Sequence, residues 1–259
     1  MTVWDPGHYL RYADERSRPF VELTARIEAA DPRSVVDLGC GPGQLTAALA
    51  DRWPSATVAG IDSSAEMIAA AHQAAHQDGR PGLEFRQQDI RDFAPDLPVD
   101  VIISNATLQW VDDHRAVLPR LVEALAPGGW LAFQVPGNQT APSHTLLHQL
   151  GQDPRFAPWT GDIDRRITPP ATEYVADLSR LGLQTDAWET TYLHILQGED
   201  PVFDWISGTG ARPYLQALPD DLREIFVGEY KALLQKAYPR QSFGTVLGFR
   251  RIFAVGHRC

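Results

Sequence analysis

The sequence predicts an α/β fold: a mostly parallel seven-stranded sheet with helices on both faces and a helical segment inserted between the last two strands. Three observations carry this. From about residue 34 to 136, apolar runs of strand length alternate with segments of helical period, the pattern of a parallel sheet built from crossover units. The run from Val99 to Ser104 reads as a strand buried on both faces. The run Val35-Val36-Asp37-Leu38-Gly39-Cys40-Gly41-Pro42-Gly43 enters a turn with an acid and three alternating glycines. Leu45, Ala48 and Leu49 then follow at helical spacing, so the segment is a strand, a tight turn and a helix. Glycine in such a turn permits positive φ and close backbone approach to a ligand.

The elements follow in order. Residues 18–30 place Phe20, Val21, Leu23 and Ile27 on one helical face, and Asp31-Pro32 stops that helix. Strand 1 spans about 34–38, and a helix at about 44–52 ends before Pro54. Strand 2, about 56–61, terminates in Asp62. Ser63 or Ser64 caps a helix over 65–77, with Glu66 near its positive end. Gly79, Pro81 and Gly82 break it. Strand 3 runs from Leu83 to Gln87 and exits at Asp89; strand 4 is Val99 to Ser104. A helix at about 113–125 is stopped by Pro127-Gly128-Gly129, and strand 5 is Trp130 to Val135. Helices at about 143–151 and 170–181 precede a strand at about 184–194. Residues 199–240 are helical, and a last strand covers about 247–256. The chain is therefore expected to be one domain over 1–259. It comprises an N-terminal helical arm (1–30), a cofactor-binding core (31–136), a helical insertion (137–182), and C-terminal strands (183–259) carrying a helical lid at about 197–245.

Composition narrows the function. The chain has 259 residues, 44% of them apolar, and a net charge of −10. That acidic balance argues against nucleic acid, whose phosphates need a basic surface. No apolar run approaches the length of a membrane span, and the opening MTVWDPGHYLRYADERSRPF has no apolar core of a signal peptide. The two cysteines, Cys40 and Cys259, form no disulfide framework, which suits a reducing cytoplasm. No His/Cys spacing suggests a metal.

In an open α/β sheet the ligand lies beyond the carboxyl ends of the strands. Asp37 to Gly43, Asp62-Ser63, Gln88-Asp89-Ile90 and Ser104-Asn105-Ala106 reach that edge. A dinucleotide fingerprint fails at Gln44, where its third glycine belongs. A phosphate loop would need Lys and Ser/Thr after the glycines, and Pro42 removes one N–H. Asp62 is placed to accept both hydroxyls of a ribose. Asp89 is placed to accept from an adenine amine while Ile90 packs on the ring. Asp37, below the glycines, can bind an ammonium directly or through water. Ribose, adenine and an amino acid without phosphate describe S-adenosylmethionine (SAM).

At this point the chain resembles the class I SAM-dependent methyltransferases, through DLGCGPG, GIDSS, QQDI and ISNATLQW in order over about residues 34–136. The resemblance implies a Rossmann-like sheet, with Gly39 and Gly41 facing the methionine end, Gly43 also on the cofactor, and Asp62 and Ser63 on the ribose, Met67 nearby. Asp89 and Ile90 would hold adenine, and Asn105 and Ala106 the cofactor's middle; S-adenosylhomocysteine is the product. Met67 alone would equally be core filler. Taken together, WDPGHYLRYADERSRP, ISNATLQWVDDH, ETTYLH, DWISGTGARPYL and FRRIFAV are similar to the trans-aconitate 2-methyltransferase family. That likeness implies a small anionic polycarboxylate as acceptor.

A polyanion needs converging cations, preferably arginines. The candidates are Arg16 and Arg212, with Arg250 or its neighbour Arg251, which points to the other face. Tyr9, Trp110, Tyr192 and His194 complete the expected acceptor site, though Trp110 fits a core position as well. A carboxylate is ionised at neutral pH, so no catalytic base is nominated: alignment and exclusion of water suffice. Three alternatives stand beside this: another small acid, a hydroxyl acceptor with His194 as base, or a SAM-binding protein without activity. A monomer or weak homo-oligomer in the cytoplasm is expected, with no metal, nucleic acid or membrane partner.

Overall fold

The computed structural model describes residues 17–80, 83–163 and 167–259. The strands are β1 (Ser34–Leu38), β2 (Thr57–Asp62), β3 (Glu84–Gln87), β4 (Val99–Asn105), β5 (Leu125–Pro136), β6 (Gln184–Leu196) and β7 (Thr245–His257). They form one seven-stranded sheet in the order β3-β2-β1-β4-β5-β7-β6. The pairs from β3 to β5 are parallel. Gly128 N–H donates to the Arg258 carbonyl while Gly137 N–H donates to that of Arg250. Residue numbers thus rise on β5 as they fall on β7, and β7 runs antiparallel. The chain order reverses between β1 and β4, and the ends of these two strands make the switch point where open sheets bind ligands.

The chain divides into two compact units. One comprises residues up to Val135 with Pro169–Glu189 and Ile252–Cys259; the other comprises Pro136–Thr168 with Thr190–Arg251. In the first, Val36, Leu38, Ile102, Leu131 and Phe133 share a core cluster with Leu118, Leu121, Tyr174 and Leu178 from the helices Leu118–Glu123 and Ala171–Arg180. Val35, Val101, Ile103 and Ala132, which alternate with these, are also buried, as a parallel sheet covered on both faces requires. In the second unit, Leu147, Phe156, Ile206, Tyr214, Phe226, Tyr230 and Leu247 make a separate core. The rings of Phe156 and Phe226 meet edge to face at 5.0 Å.

Three boundaries differ from the sequence expectation. The helix expected over 18–30 is Ser17–Ala25, and Arg26 and Ile27 close it with tighter three-residue turns. The segment expected as one helix over 113–125 is a 3-10 turn, His114–Val117, followed by the helix Leu118–Glu123. Pro119 explains the break, because it has no N–H to give and is tolerated only in a first helical turn. Strand β5 begins at Leu125, five residues earlier than expected. Leu125 pairs with Val99 and Trp130 with Val101, so Ala126 to Gly129 bulge within the strand, with Gly128 at φ 75°. The stretch 199–240 is helical as Pro201–Ser207, Arg212–Ala217 and Asp220–Ala237.

Candidate functional site

The glycine turn joins β1 to the helix Gln44–Arg52. Gly39, Gly41 and Gly43 all have positive φ, and at Gly39 the need is doubled. A Cβ there would lie 2.1 Å from the Thr107 side chain, and Thr107 Oγ1 donates to the Gly39 carbonyl at 3.2 Å. The turn is thereby pressed against the loop that follows β4.

Asp62, at the end of β2, braces the same turn. Gly41 N–H donates to its Oδ2 at 3.0 Å and Ser64 N–H to its Oδ1 at 2.9 Å. Each oxygen keeps a second lone pair for a ligand hydroxyl. Ser64, rather than Ser63, caps the helix Ala65–Gln77; Ser63 is exposed and its carbonyl accepts from Gln87. Met67 is 43% exposed, which excludes core filling.

Asp37 is 2% exposed, and Thr46 Oγ1 donates to its Oδ2 at 2.7 Å. Burial pushes its carboxyl up to about 6, Thr46 opposes this, and the charge of Asp62 adds to it. A raised folded pKa means that stability is fully present below the unfolded value of 3.8 and is lost as pH rises through 6. Asp37→Asn removes that ionisation. Denaturation of the variant and the wild type at pH 4 and pH 7.5 should show the variant gaining about 2 kcal/mol on the wild type across that interval. Parallel curves would show that Asp37 ionises without cost.

Asp89 caps a 3-10 turn by accepting from Arg91 N–H at 2.8 Å and from the Arg91 guanidinium at 3.0 and 2.6 Å. The Arg91 hydrogen bonds hold its carboxyl down at about 2. Ile90 is buried in the main core cluster. After β4, Asn105 and Ala106 make the turn, Ala106 with φ 55°, and Trp110 stands 62% exposed, not in the core.

In the second unit, Tyr192 is buried and His194 stacks on Trp205 at 4.7 Å. His194 also meets Phe249, over whose ring Arg251 lies at 4.7 Å. Arg250 turns the other way. Its Nε donates to the Gly137 carbonyl at 2.9 Å, and its backbone is clamped by Asn138. Tyr192 and His194 thus share a face with Arg251, not with Arg250. Arg212 is exposed at the start of Arg212–Ala217. Tyr9 and Arg16 lie outside the described residues. Among the described residues no group of His, Cys, Asp or Glu could hold a metal, and no helix is long and apolar enough to cross a membrane.

Residues 35–129 match a family model described as a methyltransferase domain. The chain is 49% identical to a trans-aconitate 2-methyltransferase of Streptomyces avermitilis, over 98% of this chain and 97% of that one. It is 46% identical to the enzyme of that name from Rhodococcus jostii, over 98% of both. The chain belongs to the trans-aconitate 2-methyltransferase family. Among solved structures it is similar to the YcgJ protein of Bacillus subtilis (TM-score 0.62, 16% identity, 92% of this chain and 97% of that one). A putative methyltransferase of Bacillus halodurans gives a TM-score of 0.61 at 13% identity, over 93% and 99%. Both likenesses are of fold.

The structure adds neighbours to the candidate site that the sequence does not single out: Thr46 under Asp37, Arg91 on Asp89, Thr107 against Gly39, and Gln134 beside Asn105, to which it donates at 2.7 Å. Gln134 alone carried a signal, as a polar residue within the apolar run Leu131 to Val135.

Proposed function

We propose that the protein transfers the methyl group of SAM to a carboxylate of trans-aconitate or a closely related small polycarboxylic acid, releasing S-adenosylhomocysteine and the methyl ester. The observation that carries this is the end-to-end likeness to enzymes of that name. The donor set supports SAM. Asp62 offers a ribose two acceptor oxygens, the glycine turn lets backbone approach closely, and no lysine or hydroxyl stands where a phosphate would need it. We assign Asp37, Gly39, Gly41, Gly43, Asp62, Ser63, Met67, Asp89, Ile90, Asn105 and Ala106 to the cofactor.

When bound, SAM supplies an electrophilic methyl on a sulfonium: the new O–CH3 bond forms as the S–CH3 bond breaks, its electron pair stays on sulfur as a neutral thioether, and no proton moves. The chain therefore needs no general base. What its residues contribute is alignment, to which up to about 7–11 kcal/mol can be ascribed. A negative acceptor needs cations, and Arg212, Arg16 and Arg250 are assigned to it together with Tyr9, Trp110, Tyr192 and His194. Arg251, stacked on the His194 face, joins that set. The net charge of −10 favours neither nucleic acid nor an anionic membrane as partner. We read the chain as a single class I methyltransferase domain, a cytoplasmic monomer or weak homo-oligomer.

The test is turnover with a panel of acids. Trans-aconitate should give the highest kcat/KM, with monocarboxylic acids far behind. Arg212→Ala should raise KM for the tricarboxylate about 10-fold or more, the scale of a lost charge-assisted bond, with SAM affinity unchanged. Equal losses for mono- and tricarboxylic acids would count against an arginine clamp.

A further inference from the structure

We propose that Asn105 receives the acceptor's carboxylate through its side-chain N–H, and that Gln134 is the positioning residue that turns this donor outward. The proposal rests on the carboxyl-transfer assignment above and concerns an end of Asn105 that the cofactor role does not use.

Asn105 is the last residue of β4, and Gln134 is its register partner on β5. Gln134 is 1% exposed, and its Nε2 donates to Asn105 Oδ1 at 2.7 Å. A primary amide has one acceptor end and one donor end. With Oδ1 held by a buried donor, flipping the Asn105 amide would set two NH2 groups against each other and lose that hydrogen bond, at about 1–3 kcal/mol. The Nδ2 end is therefore the one on display, and it makes no hydrogen bond to any described residue.

The turn that carries Asn105 is fixed at three further points. Ala106 N–H donates to the Gln134 carbonyl at 3.0 Å. Gln109 Nε2 donates to the Ala106 carbonyl at 2.5 Å, helping to hold Ala106 at φ 55°, a conformation unusual for a residue with a Cβ. Gln109 does so although its own buried Oε1 meets no partner among the described residues. Thr107 then ties the turn to Gly39. Asn105 is thus placed rigidly beside the glycine turn.

The chemistry at this edge gives the donor a task. Asp37 and Asp62 present only acceptors when ionised, and both repel a carboxylate. Asn105 presents a neutral N–H. One carboxylate oxygen accepts from Nδ2, and the other keeps its lone pairs for the methyl group. An ammonium at the same place would meet a donor with a donor. Asn105 therefore selects for carboxylate over amine, a distinction set by which end of one amide faces the ligand.

Two isosteric changes test this. Asn105→Asp replaces the donor with an acceptor. Gln134→Glu supplies an acceptor from below, so the Asn105 N–H turns inward and Oδ1 faces out. Each should raise KM for trans-aconitate by about 10- to 100-fold, the effect of one hydrogen bond to a charged group. S-adenosylhomocysteine affinity by calorimetry should fall by a clearly smaller factor than KM rises, because the cofactor role of Asn105 leaves its Nδ2 end unused. The half-buried Asn105 carries the decision if Gln134→Glu fails to fold. An unchanged KM in Asn105→Asp overturns the proposal. So does an equal loss of S-adenosylhomocysteine affinity, which would place the Nδ2 end itself on the cofactor. A wild type that binds S-adenosylhomocysteine yet methylates no carboxylic acid overturns the carboxyl assignment, and the proposal with it.

Discussion

Gly39→Ala should unfold the glycine turn from its neighbour and abolish SAM binding at micromolar concentrations. Two costs act together. The residue sits at φ 78°, where an L side chain is disfavoured by about 1–2 kcal/mol. Its new Cβ would also lie 2.1 Å from both Cγ2 and Oγ1 of Thr107. Thr107 cannot yield freely, because its hydroxyl is hydrogen-bonded to the Gly39 and Asn105 carbonyls. Displacing packed atoms of this kind adds about 1–3 kcal/mol. Thermal denaturation should show a clear drop in Tm. Combining Gly39→Ala with Thr107→Ala removes the overlap but not the backbone strain, so about half of the lost stability should return. A single variant as stable as the wild type would mean that the turn relaxes without cost, and that Thr107 does not fix it.

Asp62→Ala should weaken SAM binding by about 100-fold or more while leaving a folded protein. A carboxylate accepting two ribose hydroxyls contributes about 1.5–3 kcal/mol per bond. The structural loss is smaller. Gly41 and Ser64 each lose an acceptor, but the site is only half-buried and water can replace it. Asp62→Asn keeps one acceptor oxygen and should fall between the two. Calorimetric titration of S-adenosylhomocysteine into each variant, beside its melting curve, separates the cofactor effect from the structural one. Wild-type affinity in Asp62→Ala would remove Asp62 from the ribose.

Much of this site is legible in the chain because its signals are local. The three glycines announce positive φ, and all three adopt it. Asp62 and Asn105 end their strands, as the apolar runs before them require. Contacts between distant or closely spaced polar residues leave no such period. Arg91 lies two residues from Asp89 and claims both of its oxygens. Thr107 meets Gly39 across two strands. Which of Arg250 and Arg251 shares a face with His194 shows only in what each side chain touches, the Gly137 carbonyl in one case and the Phe249 ring in the other. Strand β5 extends further towards its start than its sequence suggests, because Pro127-Gly128-Gly129 has the composition of a turn. Its backbone is nonetheless held in the sheet, with Gly128 N–H on the Arg258 carbonyl.

Methyl transfer to a carboxylate makes an ester, and the lability of the product to alkali distinguishes it from transfer to a hydroxyl or an amine. Protein is incubated with SAM labelled in its methyl group and with trans-aconitate, and the isolated product is then treated with mild base. A methyl ester releases its label as methanol, and omission of trans-aconitate prevents the label from appearing at all. Label that survives base as an ether or an N-methyl group, or label that appears equally without the acid, would contradict carboxyl transfer.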